Sequence, residues 1–269
     1  MPRLRLTLAY TGGAFSGWQV QPALRTVQGC LEEALGRICQ RPIRVHASGR
    51  TDAGVHALGQ VAHCDIPEAK RAVPWRRALN GLLPGEMSLI EADWVPSSFH
   101  ARYSAQGKIY SYTLWTEPRF LLPQHRPYAW PVSPLDEETM LQAAHRLEGR
   151  HDFASFQNVG TPVATTERRL FWIRVRQGSV PGQSIWYFAA DGFLKQMARN
   201  LMSLLVDVGL HRASLREAEA ILSAGDRSLA PATAPAKGLC LERVVYDEAE
   251  LPLLEAALRR GEPILPWPD

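Results

Sequence analysis

The sequence predicts an α/β (α+β) fold built from two consecutive β-α-β-β-α-β units with mixed, mainly antiparallel sheets. Two observations lead there. Strand-like and helix-like hydrophobic patterns follow one another in the same order twice along the chain, without any sequence repeat. The chain has 269 residues, 46% of them apolar, which is enough for two modest cores.

In the first half, residues 3–10 (RLRLTLAY) alternate as a strand. Residues 26–38 follow as a helix that places Val27, Cys30, Leu31, Ala34, Leu35 and Ile38 on one face, with Thr26 as its N-cap. Residues 43–49 and 59–66 read as strands, 73–83 as a helix and 87–95 as a strand. The second half opens with a strand at 107–116, with Tyr110, Tyr112 and Leu114 on one face and Ile109, Ser111, Thr113 and Trp115 on the other. A helix with an acidic first turn spans 135–147, and strands at 168–177 and 184–191 flank the turn-forming VPGQ. A long helix is predicted over 193–210, a smaller inserted helix over 214–225, and a closing strand over 238–246. This order is that of the split βαβ, ferredoxin-like (or RRM-like) unit. The expected domains are 1–104 and 105–269, with a central active-site cleft between the two halves. Proline-containing loops span 118–134 and 158–167, lengths at which loops are often functional.

Composition narrows the function classes. No apolar run reaches the length of a membrane span, and MPRLRLTLAY enters a strand pattern at once without the apolar stretch of a signal peptide. The expected location is therefore cytoplasmic. Cys30, Cys39, Cys64 and Cys240 form no CxxC pair and no zinc-ligand spacing, so they read as reduced structural thiols. No P-loop or dinucleotide fingerprint is present, and no metal or other cofactor is expected. The formal charge of +3 is unevenly spread, because residues 245–269 hold six acidic and two basic residues. Arginine outnumbers lysine 26 to 4, and guanidinium groups suit phosphate recognition and stacking.

The segment 48–60, SGRTDAGVHALGQ, carries the strongest site signal. Gly49, Gly54 and Gly59 surround Arg50, Asp52 and His56 between two predicted strands. Glycines permit tight turns and close ligand approach, so the loop can present a carboxylate and a guanidinium from a rigid edge. Most aspartates in such turns merely cap the backbone or are solvated. His56 reads either as a phosphate or sugar contact or as a group that satisfies the loop.

The string GRTDAGVHA resembles the active-site motif of the tRNA pseudouridine synthase A family. Further matches follow along almost the whole chain: Tyr10, Gly12, Phe15, Gly17, Trp18, Gln19 and Gln21; ALNGLLP, FHARYSA and KIYSY; GRHDFASF at 149–156; FLKQMARN at 193–200; and APAKGLCL at 234–241. Thr11 and Ser203 depart from the usual acidic residue and glycine, outside the catalytic set. The resemblance implies an isomerase that breaks the C1′–N1 bond of uridine, turns the uracil and joins C5 to C1′. Its implied targets are uridines at tRNA positions 38, 39 and 40 in the anticodon stem-loop, and its implied assembly is a homodimer in which one tRNA touches both subunits.

By the same resemblance Asp52 is the essential carboxylate, acting either as nucleophile at C1′ or as base at the C2′ proton. Arg199 is its basic partner, and lies one turn after Lys195 on the predicted long helix. Tyr110 stacks on the uracil and helps to move the C5 proton. Arg50 helps to flip the base, at a cost of about a few kcal/mol of unstacking. Lys195 joins Arg50 and Tyr110 in binding substrate. Arg102, Lys108, Arg168 and Arg169 are further candidates for phosphate contact. Two other function classes fit parts of the pattern. A non-catalytic RNA-recognition module would show an RNP-type aromatic string, which is absent. A nucleosidase would place a second carboxylate beside Asp52, and none stands within residues 41–64.

Overall fold

The computed structural model describes residues 1–264. In chain order the strands and α-helices are β1 (Arg3–Tyr10), α1 (Val27–Cys39), β2 (His46–Ala47), β3 (His56–Asp65), α2 (Trp75–Asn80), β4 (Met87–Val95), β5 (Gly107–Trp115), β6 (Trp130–Pro131), α3 (Glu137–Leu147), β7 (Gly149–Asp152), β8 (Glu167–Gln177), β9 (Gln183–Ala190), α4 (Met197–Gly209), α5 (Leu215–Ala224), β10 (Leu239–Val245) and α6 (Glu250–Arg259). Two compact units form. The first comprises Met1–Gln106, Cys240–Tyr246 and Ile264, and the second comprises Gly107–Leu239 and Asp247–Pro263.

In the first unit β1 lies between β3 and β4, antiparallel to both. Its alternation is strict: Leu4, Leu6, Leu8 and Tyr10 face the core while Arg3, Arg5 and Thr7 face the other way. Helix α1 starts where Thr26 caps it, the hydroxyl accepting from the Gly29 N–H at 3.2 Å. Such a cap contributes about 1 kcal/mol. Its buried stripe is Val27, Leu31, Ala34, Leu35 and Cys39, close to the predicted face. Strand β2 is only two residues long, far shorter than the predicted 43–49, and pairs antiparallel with β3 through His46↔His63 and Ala47↔Ala62. Helix α2 is also shorter than predicted. Pro74 precedes it and the chain leaves it at Gly81, while Asn80 turns its amide to the Leu89 backbone of β4, donating at 2.9 Å and accepting at 2.7 Å. Strand β10, expected to close the second half, pairs in parallel with β3 through Cys240↔His56 and Leu241↔Ala57.

In the second unit β9 lies between β5 and β8, antiparallel to both, and β7 pairs the far side of β8. Strand β6, inside the predicted loop 118–134, adds a short parallel pairing to β5. Tyr112, Phe153, Phe156, Trp186 and Phe188 are wholly buried, as is most of α4, while Trp115 on the other face of β5 packs on Phe120 and His125. Helix α4 begins at Met197, not at Phe193 as predicted. Gln196 is left-handed at φ 65°, which no helix continues through, and residues 194–197 form a turn closed by Met197 N–H on the Leu194 carbonyl. Lys195 therefore lies off the helix, before its first turn, and Arg199 does not follow it at helical spacing. Helix α5 carries a full capping box between Ser214 and Glu217 and ends at left-handed Gly225.

Helix α6 was not predicted from the sequence. Its Glu255 meets Arg174 of β8 at 2.6 Å, and Arg174 also meets Glu148 at 2.6 Å. One half-buried guanidinium thus ties α6 and the end of α3 to the sheet. No described helix is long and apolar enough to cross a membrane.

Candidate active site

In the first unit the Asp52 loop joins β2 to β3 and is fixed by a buried polar net beneath it. Thr51, 5% exposed, shares a 2.8 Å hydrogen bond between its hydroxyl and that of Tyr10. Its carbonyl accepts from the Trp18 N–H at 3.0 Å. Gln60, wholly buried in β3, donates to the Gly49 carbonyl at 2.9 Å and accepts from the Ser48 hydroxyl at 2.8 Å. The residues on both sides of Arg50 and immediately before Asp52 are thereby locked. After Asp52 the chain turns, with Val55 N–H on the Asp52 carbonyl at 3.1 Å and Gly54 at φ +81°. The result is a half-buried Asp52 and an exposed Arg50 on a rigid mount.

The N-terminal motif supplies that mount. Gly17 has φ +86°, and a Cβ there would stand 2.9 Å from the Thr51 carbonyl oxygen and 3.1 Å from the Ala53 nitrogen. Tyr10 is buried, which pushes its phenol well above its usual range, so the hydroxyl stays neutral and serves the net. His56 is buried too, and its Nδ1 accepts from the Gly12 N–H at 3.1 Å, so its role includes holding the loop. The net around Gln60 escapes sequence reading; the available signal is a lone amide inside the otherwise apolar strand GQVAHC.

In the second unit Tyr110 projects from the middle of β5, opposite Phe188 of β9, and is 8% exposed. Phe193 meets its ring edge-on at 4.9 Å. Arg199 occupies the first turn of α4, and its Nε donates to the Ala234 carbonyl at 2.7 Å. The next carbonyl, that of Pro235, accepts from the Tyr112 hydroxyl at 2.6 Å. Tyr112 is wholly buried, which raises its phenol well above the usual range, and Gly238 packs on its ring so closely that a Cβ would stand 2.4 Å from it. Segment 234–238 is thus a strap that aims Arg199, and Tyr112 is the post it is tied to. Sequence reading placed Tyr112 only as a same-face neighbour of Tyr110.

Two further blocks meet at Asn200, which is wholly buried. Its amide donates to the Phe156 carbonyl at 2.8 Å and accepts from Arg227 at 3.2 Å. Lys195 is exposed, and its carbonyl accepts from the Asn158 N–H at 2.9 Å, anchoring the start of loop 158–167. Arg168 donates to the Thr165 and Glu167 carbonyls, while Arg169 pairs with Glu248 at 3.0 Å and lies over the Phe171 ring. Both side chains therefore have partners already within the unit. Arg50 and Asp52 belong to the first unit, and Tyr110, Lys195 and Arg199 to the second. Among the described residues no group of three His, Cys, Asp or Glu side chains is arranged to hold a metal ion.

The family model described as tRNA pseudouridine synthase matches residues 7–104 and 143–247 of this chain. The chain belongs to the tRNA pseudouridine synthase family. The matched segments contain Arg50, Asp52, Lys195 and Arg199, while Tyr110 falls between them. The chain is 53% identical to tRNA pseudouridine synthase A of Solidesulfovibrio magneticus over 251 residues, covering 91% of this chain and 92% of that protein. It is 48% identical to the protein of the same name from Maridesulfovibrio salexigens, with 92% of each chain covered. The corresponding Oleidesulfovibrio alaskensis protein is 47% identical, over 92% of this chain and 98% of its own length.

Proposed function

We infer that this pseudouridine synthase isomerises uridine in tRNA, with Asp52 as the essential carboxylate. The observation that carries the reading is the buried net of Tyr10, Thr51, Gln60 and Ser48, which fixes the backbone before Asp52 while leaving the carboxylate half-buried and Arg50 exposed. A turn that merely needed a cap would not require four buried polar side chains beneath it. A fixed mount is what a carboxylate acting at the sugar needs, since misplacement by about 1 Å costs about a hundredfold in rate.

Asp52 attacks C1′ or removes the C2′ proton; either route breaks the C1′–N1 bond and frees the uracil from the ribose, after which C5 bonds to C1′, the C5 proton leaves and N1 takes up a proton. Arg199 is its basic partner, aimed by the strap at 234–238. Tyr110 offers a ring to the uracil and a hydroxyl for the C5 proton. Arg50 fills the space of the extruded base, and Lys195, now seen as an exposed turn residue, contacts backbone phosphate. The targets are uridines 38, 39 and 40 of the anticodon stem-loop, the working form is a homodimer that shares one tRNA, and the site of action is the cytoplasm. The resemblance of the motifs supports these finer points, and the family match and the named relatives support action on tRNA.

Treating unmodified tRNA with the purified protein and mapping pseudouridine tests the reading. Conversion at positions 38 to 40, with no change in RNA mass, is expected. Release of free uracil would make the enzyme a nucleosidase, and no change in the RNA would leave only a binder.

A further inference from the structure

A second cluster stands at the other end of β3 from the Asp52 loop. His63 is seven residues along the strand from His56, roughly 23 Å at about 3.3 Å per residue. It is 2% exposed, stacks on His46 at 5.2 Å and meets His100 edge-on at 4.6 Å. Phe99 packs edge-on against His63 at 6.2 Å and lies 5.0 Å from Tyr246. His100 in turn lies 4.3 Å from Tyr103. The rings form a ladder that starts in the core and ends at Tyr103, which is 77% exposed.

The segment that carries Tyr103 is rigid. Both the Arg102 and Tyr103 N–H groups donate to His100 Nδ1, at 3.1 and 3.3 Å. The His100 N–H donates to the Ser104 hydroxyl, and the Ser104 N–H returns to the His100 carbonyl, each at 2.9 Å. Arg3 donates to the Ser97 and Phe99 carbonyls at 2.7 Å each. His63 Nδ1 accepts from the Ala101 N–H at 3.1 Å. The lone pairs at Nδ1 of His63 and His100 are therefore spent on the backbone, which removes them from metal binding. What they achieve is to hold one exposed aromatic ring in place.

Charge around the ring favours an anion. The Arg102 guanidinium lies 5.7 Å from the Tyr103 ring centre, and Asp65 and Asp93 are already matched by Arg3 and Arg5 at 2.8 Å. A fixed aromatic face beside a cation fits an unpaired nucleotide: the base stacks on the ring and the adjacent phosphate meets the guanidinium. We propose that Tyr103 and Arg102 form a second RNA-binding site, which stacks one unpaired base of the tRNA well away from the Asp52 loop. The proposal rests on tRNA being the substrate.

The test is a tRNA titration of Tyr103→Ala, Tyr103→Phe and Arg102→Gln, with single-turnover rates and sedimentation of each protein without RNA. Tyr103→Ala is expected to weaken tRNA binding about tenfold, with the loss in Kd rather than in the rate at saturating tRNA. Tyr103→Phe keeps the stacking face and should bind within about twofold of the parent. Arg102→Gln should lower the slope of log K against log salt by about one. Wild-type affinity in Tyr103→Ala would overturn the site. A changed oligomeric state in that variant would overturn it too, by assigning the ring to contact between copies of the chain. Failure of the parent protein to bind tRNA at all would instead strike the functional reading.

Discussion

At the scale of residues, a backbone carbonyl helps to aim Arg199. Its Nε bond to Ala234 holds only while segment 234–238 stays in place, and the Tyr112 hydroxyl on Pro235 keeps it there. Tyr112→Phe leaves the ring packed and removes that one bond, so the fold should persist with a loss of about 1 kcal/mol. Turnover should fall severalfold while tRNA affinity stays close to wild type, because the guanidinium is loosened rather than lost. Arg199→Met should cost about a hundredfold or more. A Tyr112→Phe enzyme with wild-type turnover, beside an Arg199→Met enzyme that is nearly inactive, would free Tyr112 from its positioning role. Single-turnover kinetics with melting curves distinguish the cases. The motifs singled out Arg199 and Asp52 as candidates. They did not reveal Tyr112, Thr51 or Gln60, whose roles lie in hydrogen bonds between distant segments.

Among elements, the Asp52 loop and the segment 10–18 behave as one piece. Gly17→Ala would force a side chain into positive φ and against the Thr51 carbonyl. A loss of about 1–3 kcal/mol is expected, together with reduced turnover as the loop shifts. Wild-type stability and rate in Gly17→Ala would show that the mount is softer than described. The ring ladder makes a separate prediction about acid. Burial, with the nearby Arg3 charge, pushes the His63 imidazole down to about 4. The unfolded chain takes up that proton near pH 6.5, so stability is full above about that pH and declines toward pH 4, by on the order of 2–3 kcal/mol. His63→Gln retains an acceptor for the Ala101 N–H and should flatten this acid limb in urea midpoints measured across pH. An unchanged slope would place the acid sensitivity elsewhere. Strand β1 was legible because its alternation is strict, and β4, β5, β8 and β9 because each is a short run rich in aromatic and β-branched residues. The start of α4 was not, since FLKQ is as good a helix former as the sequence after it, and only the left-handed Gln196 breaks the run. Strand β2 was overread because IRVHASG has strand composition, while β3 offers it pairing at only two residues.

For the whole molecule, the order of the main elements in each half was legible, apart from β6, β7 and α6, and the family match confirms the kinship that the motifs suggested. The path of β10 was not legible, because a strand's partner is chosen in three dimensions and its sequence fits either unit equally well. Outside the acidic stretch 245–269 the chain is clearly basic, so tRNA affinity should fall steeply between about 50 and 200 mM salt. Affinity that stays flat across that range would count against a folded RNA as the partner. The central claim is that Asp52 performs the chemistry and does not merely shape its loop. Asn fills nearly the same space and retains most turn hydrogen bonds, yet serves neither as nucleophile nor as base at the sugar. The most direct measurement is pseudouridine formation in unmodified tRNA under single-turnover conditions, with Asp52→Asn in excess, beside its melting curve and tRNA titration. The expected result is a folded protein that binds tRNA and makes no detectable pseudouridine; turnover within about tenfold of wild type would contradict the account.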